Sequence, residues 1–368
     1  MSSPFVYENP IEADRLIDRS AELETLLDRI HDGRNSRIEG PRRYGKTSLV
    51  RAALARARDD GLTAIEVNFM GCVTAAQVAE RIERAYGQQL DSRLRQWFTG
   101  LVRTWRPTIS AAPGGVGVGV SPQPADAALL DRLALPKRVQ QRTGRACVVA
   151  FDEFQEVVKV SVELAGVFRS ELETHGGLAS YIFCGSHPGL MRQLFSDRRL
   201  AFFGQAGPVP LDTLPLDDLA EDISTRFREA DRDPGDALGP LLDLSAGHPQ
   251  RAMLLAHHLF ERTPLGGVAG PDTWLDAQDA ARREAHGEIQ VLWDDATRVQ
   301  RRVLKVIADN QVTLSSNAAT ERYGLVRGRT TAAAADKLVR DGHLVKAAAT
   351  VSGHRIVDPF LAAWLRET

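Results

Sequence analysis

The chain has 368 residues, 43% of them hydrophobic and 26% charged, with a formal net charge of −2. This length suggests two or three domains, and the composition supports a sizeable buried core. No run of about 18 apolar residues occurs and no secretory signal opens the chain, so neither a membrane span nor export is expected. Because the three cysteines show no metal-type spacing, we expect reduced core thiols in a cytoplasmic protein.

A helix is predicted over residues 20–30, where Leu23, Leu26, Leu27 and Ile30 repeat on one face. Residues 36–39 then form a short extended run. Residues 40–48 follow it and fit the pattern G-x-x-x-x-G-K-[ST], a loop that wraps the phosphates of a nucleotide. A helix rich in Ala, Leu and Arg begins at about residue 48, which completes the strand–loop–helix context of a phosphate loop.

Each residue type in this loop has a chemical reason. The two glycines allow the backbone to turn tightly and to direct its N–H groups at an anion. Lys46 carries a charge for the β- and γ-phosphates, and the Thr47 hydroxyl is placed for Mg²⁺. The predicted residues for ATP binding in this loop are Gly40, Pro41, Arg42, Arg43, Gly45, Lys46, Thr47 and Ser48.

The chain continues with strands predicted at 64–69, 145–151 and 178–186, and with helices at 74–86, 129–142, 162–174 and 188–195. Strands that alternate with helices predict a doubly wound α/β domain whose ligands bind at the carboxyl ends of the strands. Residues 113–120 alternate Gly and Val without the features of a second nucleotide site. We interpret them as an insertion, a loop or a hairpin, for which self-association is one conceivable role.

Acidic and polar side chains follow the buried strands. Asp152 and Glu153 end the strand at 145–151, and there Asp152 is predicted to hold Mg²⁺ while Glu153 orients or deprotonates the attacking water. Ser186 ends the next strand and is predicted to touch the γ-phosphate, with the adjacent His187 as an alternative. Arg198 or Arg199 is a candidate arginine finger toward a neighbouring subunit, and Arg42 and Arg43 are alternatives within the chain.

From residue 216 the strand signals stop. Helices are predicted at 216–230, 234–246, 250–262 and 272–296, which form a small all-α lid. The last part contains helices at 298–309, 316–323 and 328–340, followed by two short strands, which is the order of a winged helix-turn-helix. We therefore predict an α/β phosphate-loop domain at 1–212, a helical lid at 213–296 and a winged helix at 297–368.

The carboxyl-terminal part is basic. From Thr297 onward it holds twelve Lys and Arg residues against six Asp and Glu residues, in a chain that is negative as a whole. Arg327, Arg329, Thr330 and Thr331 open its third helix, which would be the recognition helix for double-stranded DNA. The alternative is that this winged helix serves as an intramolecular clamp or binds a protein.

These motifs together resemble the archaeal-type ATPases of the STAND class, which are relatives of AAA+ proteins. The resemblance rests on residues 40–49, on the motif at 152–156, on 184–186 and on Gly247-His248-Pro249, and it extends to residues 358–365 of the winged helix. It implies ATP binding, slow hydrolysis, and a nucleotide-controlled switch or assembly, with Pro249 of the lid lying against the nucleotide. Origin-recognition relatives carry a lid arginine where this chain has Gln250, followed by Arg251.

The sequence thus predicts a hydrolysing ATP switch that repositions a winged helix, with ATP and Mg²⁺ as ligands and ADP as product. One alternative is an ATP-controlled DNA-binding initiator or regulator. Another is a signalling scaffold that binds a protein partner or a second copy of itself. A small-molecule kinase is disfavoured because no substrate-binding region is evident and the lid and winged helix would have no role.

Overall fold

The computed structural model describes residues 3–11, 15–105, 125–326 and 328–368. The Gly/Val segment at 113–120 and Arg327 lie outside these described residues. In the first part of the chain the elements are α1 (Ser20–His31), β1 (Ser36–Glu39), α2 (Lys46–Asp59), β2 (Thr63–Asn68), α3 (Ala75–Gln89), α4 (Ser92–Trp105), α5 (Ala125–Leu133), α6 (Leu135–Thr143), β3 (Cys147–Asp152), α7 (Gln155–Val160), α8 (Val162–Glu173), β4 (Ala179–Phe183), α9 (Pro188–Ser196) and β5 (Gly207–Pro210).

The five strands form one parallel sheet in the order β2-β3-β4-β1-β5. Val148 and Ala150 of β3 pack in the cluster formed with α1 and α2. Cys147, Val149 and Phe151 face the opposite side, where they pack with α3, α5, α6 and α8. Because helices cover both faces of the sheet, all six residues of β3 are buried, which explains its continuous apolar sequence.

Two of the differences from the sequence prediction have a clear physical reason. The single helix expected over 129–142 is two helices, α5 and α6, because Pro136 opens the second one and cannot continue the first. The strand β5 was not predicted, since it contains Pro208 and Pro210. Among the described strands it is the outermost and pairs with β1 alone, a position where the missing proline N–H groups are tolerated.

The second half of the described chain is helical apart from one small sheet. Its elements are α10 (Leu216–Glu229), a short 3₁₀ helix (Gly235–Ala237), α11 (Leu238–Ser245), α12 (Pro249–Arg262), α13 (Pro271–Asp295), α14 (Arg298–Asp309), α15 (Asn317–Tyr323), α16 (Arg329–Arg340), β6 (Leu344–Lys346), β7 (His354–Ile356) and α17 (Pro359–Glu367). Elements α14 to β7, with an antiparallel β6–β7 pair, form the predicted winged helix-turn-helix.

The helices α10 to α13 and the winged helix share one apolar cluster. Leu254 and Phe260 of α12 belong to the same cluster as Leu304 of α14 and Phe360 of α17. The winged helix also reaches the sheet-bearing part of the chain, because a Cβ on Gly189 of α9 would lie 2.5 Å from the Cα atom of Arg340. Within the described residues, no helix is both long and apolar enough to cross a membrane.

Candidate nucleotide-binding and hydrolytic site

The loop at 40–48 connects β1 to α2 and has the shape that an anion site requires. Gly45 has φ of +80° and caps α2. A Cβ on Gly40 would lie 3.1 Å from the carbonyl oxygen and Cβ of Leu211, so a larger residue would press the loop against the chain after β5. Lys46 is buried, and its ammonium group donates to the carbonyl oxygens of Gly40 (3.1 Å) and Pro41 (2.5 Å). Its Nζ therefore lies inside the loop, at the place where phosphate oxygens would replace the two carbonyls.

Oxygen donors meet beside Thr47 at the end of β3. The Thr47 hydroxyl lies 3.4 Å from Oδ2 of Asp152, and the amide of Asn68 at the end of β2 donates to the same oxygen at 3.3 Å. Mg²⁺ prefers oxygen ligands and keeps several waters, so one hydroxyl and one carboxylate are a sufficient protein contribution. Thr47 and Asp152 therefore fit the predicted Mg²⁺ site, and Asn68 orients its carboxylate.

Glu153 follows directly and has a left-handed backbone with φ of +54°. One oxygen of its carboxylate, Oε2, accepts a hydrogen bond from the Ser186 hydroxyl at 2.7 Å and a long one from the Ser186 N–H at 3.4 Å. The side-chain amide of Gln155 donates to the same oxygen. The parallel pairing of β3 and β4 brings these groups together, since both strands end at this edge of the sheet. In this structure the hydroxyl of Ser186 thus donates its hydrogen bond to the Glu153 carboxylate.

The wall of the cleft opposite the loop is formed by the amino-terminal segment and α12. The Ile11 N–H donates to the Ser48 hydroxyl at 3.1 Å, which fixes that segment on α2. Pro249 and Gln250 line the cleft from the start of α12. Much of the remaining lining is apolar, namely Val6, Tyr7, Pro10, Ile11, Leu16, Ile17, Leu214 and Met253. Phosphate-type donors together with apolar walls suited to a flat ring are the features of a nucleotide cleft.

Burial shifts the pKa values of two ionisable groups in this site. Desolvation lowers the pKa of the Lys46 ammonium, although Glu153 and Asp152 act in the opposite direction. Desolvation also raises the pKa of Asp152, and the neighbouring charge of Glu153 raises it further. Lysine and carboxylate are thus both held in a place that disfavours their charged forms. An anion at Lys46 and a cation at Asp152 would relieve these costs, which fits a metal-bound phosphate group.

A network of charges joins the loop to the winged helix. Arg43, at φ of +67°, forms a two-pronged ion pair with Glu288 of α13. Oε2 of Glu288 also accepts from Arg251 of α12 at 3.3 Å. Arg251 in turn binds the Asp358 carboxylate at 3.1 and 2.5 Å, where Asp358 caps α17. Four side chains thus connect the phosphate loop, two lid helices and the last helix.

Several solved structures match this chain, whereas no protein-family model and no curated protein does. The Walker-type ATPase PABY2304 of Pyrococcus abyssi matches with a TM-score of 0.71 and 18% identity, over 98% of this chain and 99% of that one. The ORC2 protein of Aeropyrum pernix, in ADPNP–ADP complexes, matches with a TM-score of 0.61 and 18% identity, over 99% and 96%. The ORC1 protein of Aeropyrum pernix in complex with DNA matches with a TM-score of 0.50 and 19% identity, over 96% and 93%.

The chain has the AAA+ phosphate-loop NTPase fold. This conclusion rests on the sheet order, on the loop between β1 and α2, and on likenesses that span nearly the whole of each chain. At 18–19% identity the likeness concerns the fold, so the ligands of those proteins are not transferred to this one.

Within this AAA+ fold the candidate arginines lie in different places. Arg199 follows α9, has a side chain 86% exposed and pairs with Asp197, away from the cleft. Arg251 is only 2% exposed and is bound by Asp358 and Glu288, so Gln250 rather than Arg251 faces the cleft. Arg42 lines the cleft and is exposed. Of the candidate fingers, only Arg42 and Arg43 adjoin the site within one chain.

Three groups were missed by reasoning from the sequence. Asn68 gave a weak signal, as a polar residue that ends a strand. Gln155 stands within the acidic motif, two residues after Glu153, but nothing in the motif shows that its amide turns back. Glu288 gave no signal, since it lies in the middle of the 25-residue helix α13.

Proposed function

We propose that this protein is an ATP-binding and ATP-hydrolysing switch of the STAND class, whose nucleotide state sets the position of its winged helix. Its working units are the α/β domain at 1–212, the lid at 213–296 and the winged helix at 297–368. In this proposal the loop from Gly40 to Ser48 binds the phosphates, and Pro249 and Gln250 of the lid close the cleft. Self-assembly, with Arg199 as a finger toward a second copy, is a further part of it.

The positions of the side chains support the following roles in hydrolysis. Lys46 binds and orients the β- and γ-phosphates, and Thr47 and Asp152 hold Mg²⁺, which neutralises charge on the phosphates when bound. Glu153 orients the attacking water and accepts its proton. Ser186 holds the Glu153 carboxylate. Slow turnover is part of this proposal, as suits a switch.

The observation that carries the switch is the ion pair between Arg43 and Glu288. Both side chains are partly exposed, at 38% and 49%, so their pairing is worth at most about 1 kcal/mol. A phosphate group beside Arg43 would compete with Glu288 for it, because a phosphate carries more negative charge than one carboxylate and offers more acceptor oxygens. The same charge would repel Glu288. Nucleotide in the loop therefore favours release of α13.

Release of α13 reaches the winged helix through two further contacts. Arg251 and Asp358 hold α12 to α17, and the shared apolar cluster packs the lid helices against α14 and α17. Because these contacts hold the lid helices and the winged helix to each other, we infer that lid and winged helix move together relative to the sheet.

The switch is tested by distance measurements between spin labels on Glu80→Cys in α3 and Glu321→Cys in α15. Both positions are exposed, and the three native cysteines are buried, so they should label poorly. We expect the distance distribution with Mg²⁺ and ADPNP to differ by several ångströms from that without nucleotide.

Two variants serve as controls in the same labelled protein. Lys46→Ala should give one distribution under all nucleotide conditions, because it does not bind the phosphates. Glu288→Gln weakens the pair with Arg43 and should move the nucleotide-free distribution toward that of the ADPNP form. Identical distributions with and without bound nucleotide in the parent protein would contradict the switch.

Double-stranded DNA is a second candidate partner, and the exposed start of α16 favours it. Arg329, Thr330, Ala332 and Ala333 are exposed there, while the other end of the helix packs on α9. Small side chains beside an arginine suit close approach to a DNA groove.

DNA binding is measured by fluorescence anisotropy of a labelled duplex at 50 and 200 mM salt. We expect affinity to fall steeply with salt, and Arg329→Ala to weaken binding at both concentrations. A neutral substitution at Arg34, an exposed residue before β1 that pairs with Asp32, is the matched control. Absence of binding at 50 mM salt would exclude this partner.

A further inference from the structure

Gln155 stands at the beginning of α7, two residues beyond Glu153, and its side chain is turned back toward the end of β3. It is 2% exposed. Its amide nitrogen donates to Oε2 of Glu153 and lies 3.4 Å from the Ser186 hydroxyl. The same nitrogen lies at 3.4–3.5 Å from Oε1 of Glu156 and Nδ1 of His187. The amide is thus directed at the predicted catalytic carboxylate.

The amide oxygen of Gln155 has the opposite environment. It is buried and has no hydrogen-bond partner among the described residues. An unpaired buried oxygen disfavours folding, whereas an apolar side chain of the same length would fill the space without that cost. The value of glutamine at this position therefore lies in its N–H groups.

Gly185, thirty residues further along the chain, makes room for this amide. A Cβ on Gly185 would lie 2.1 Å from Oε1 of Gln155 and 2.8 Å from the side chain of Met191. The backbone of Gly185 does not have positive φ, so glycine is needed here for space and not for backbone conformation. The backbone after β4 thus packs directly against the amide oxygen of Gln155.

The three donors all reach one oxygen of Glu153. Gln155 and both polar groups of Ser186 bind Oε2, and no hydrogen bond to Oε1 is found among the described residues. A carboxylate fixed through one oxygen keeps the other in a defined direction for a water molecule. Orientation of this kind accounts for a large part of general-base catalysis.

We propose that Gln155 is the positioning residue for Glu153, fixing Oε2 so that Oε1 accepts the proton of the attacking water. This proposal rests on the ATP hydrolysis proposed above. In that reaction the water oxygen bonds to the γ-phosphorus, and the bond to the β–γ bridging oxygen breaks, its electron pair leaving with ADP. The water proton passes to Oε1 of Glu153. Gln155 touches neither ATP nor water in this role.

The test is Gln155→Met, which keeps the length of the side chain and removes its N–H donors. Single-turnover ATP hydrolysis should slow by about tenfold, the value of one hydrogen bond to a charged group. Affinity for ADPNP, measured by calorimetry, should stay within twofold. Affinity for ADP with aluminium fluoride, a mimic of the transition state, should fall by about tenfold, because only that complex needs the oriented water.

Gly185→Ala should disturb the Glu153 carboxylate indirectly, because its methyl group displaces the amide of Gln155. We expect the same pattern of a slower reaction with unchanged ADPNP binding. The matched control is Gln89→Met on α3, which removes a glutamine bonded to the backbone of Glu66 and should leave all three measurements unchanged. Thermal unfolding of each variant verifies that it is folded.

An unchanged or faster hydrolysis rate in Gln155→Met would overturn the proposal. So would equal losses of affinity for ADPNP and for the fluoride complex, which would indicate a structural defect. If the parent protein binds ADPNP but does not hydrolyse ATP, the proposed hydrolysis fails. In that case the affinity for ADP with aluminium fluoride still tests the role of Gln155. Equal affinity of Gln155→Met and the parent protein for this complex would refute that role.

Discussion

The ion pair between the buried Arg251 and the partly buried Asp358 allows a quantitative prediction. Burial alone would raise the pKa of Asp358, but the hydrogen bonds and charge of Arg251 outweigh it and hold the pKa below its ordinary value. The carboxylate is therefore charged at neutral pH. Asp358→Asn removes that charge and keeps a side chain that caps a helix about as well as aspartate. It thus isolates the ion pair from the helix cap.

The expected cost is about 3 kcal/mol, at the low end for breaking a buried ion pair. The low end applies because Glu288 remains as a second partner of Arg251. With an unfolding entropy of about 2.1 cal/mol/K per residue over the whole chain, this loss lowers Tm by about 4 °C. The Tm is read by scanning calorimetry at pH 7.

Asp341→Asn is the control, since Asp341 pairs with Lys337 on the surface and its loss should cost at most about 1 kcal/mol. Removing both charges, by Arg251→Met and Asp358→Asn, should recover most of the lost stability because no charge is left unpaired and the cap of α17 is kept. Equal Tm values for the parent and Asp358→Asn would refute the assignment of this pair as the link between α12 and α17.

Three further predictions concern the cleft and its lid. Lys46→Ala should weaken ADPNP binding by at least about 100-fold in calorimetry, since it removes charged hydrogen bonds to phosphate. Glu153→Gln should bind ATP normally and hydrolyse it at least about 100-fold more slowly; turnover at the parent rate would show that another group is the base. His248, whose pKa burial lowers to about 4, accepts the N–H of Arg251 as the cap of α12. Between pH 6.5 and pH 4, His248 is protonated in the unfolded chain but neutral in the folded protein. The free energy of unfolding should therefore fall by about 1.4 kcal/mol for each pH unit over this range. His248→Asn keeps the cap and should show a smaller decline in Tm over this range, and an equal decline in both proteins would contradict the shift.

The positions of the loop between β1 and α2 and of the strand before the acidic pair were predictable because their patterns are local in sequence. Residues 40–48 are consecutive, and their glycines, lysine and threonine occur at a spacing that few other structures require. The apolar run ending at Asp152 likewise predicted a strand buried on both faces. The winged helix was predictable from three amphipathic helices and two short strands in succession.

Other elements could not be predicted because their amino-acid composition is atypical of the structure they form. The strand β5 contains two prolines, and only its place at the edge of the sheet makes it a strand. The break between α5 and α6 was not predicted, because one apolar pattern runs through both helices.

What the sequence by itself determined is the chemistry available at each strand end. The tertiary structure decided which of these groups act on one another. Arg43 and Glu288 are 245 residues apart, and Arg251 and Asp358 are 107 apart, so no local pattern joins them. Gln155 is aimed at Glu153 only because the glycine at the end of β4 leaves room for its amide. Periodicity and spacing report on neighbours along one element, whereas these contacts depend on how α7, α12, α13 and α17 pack in space.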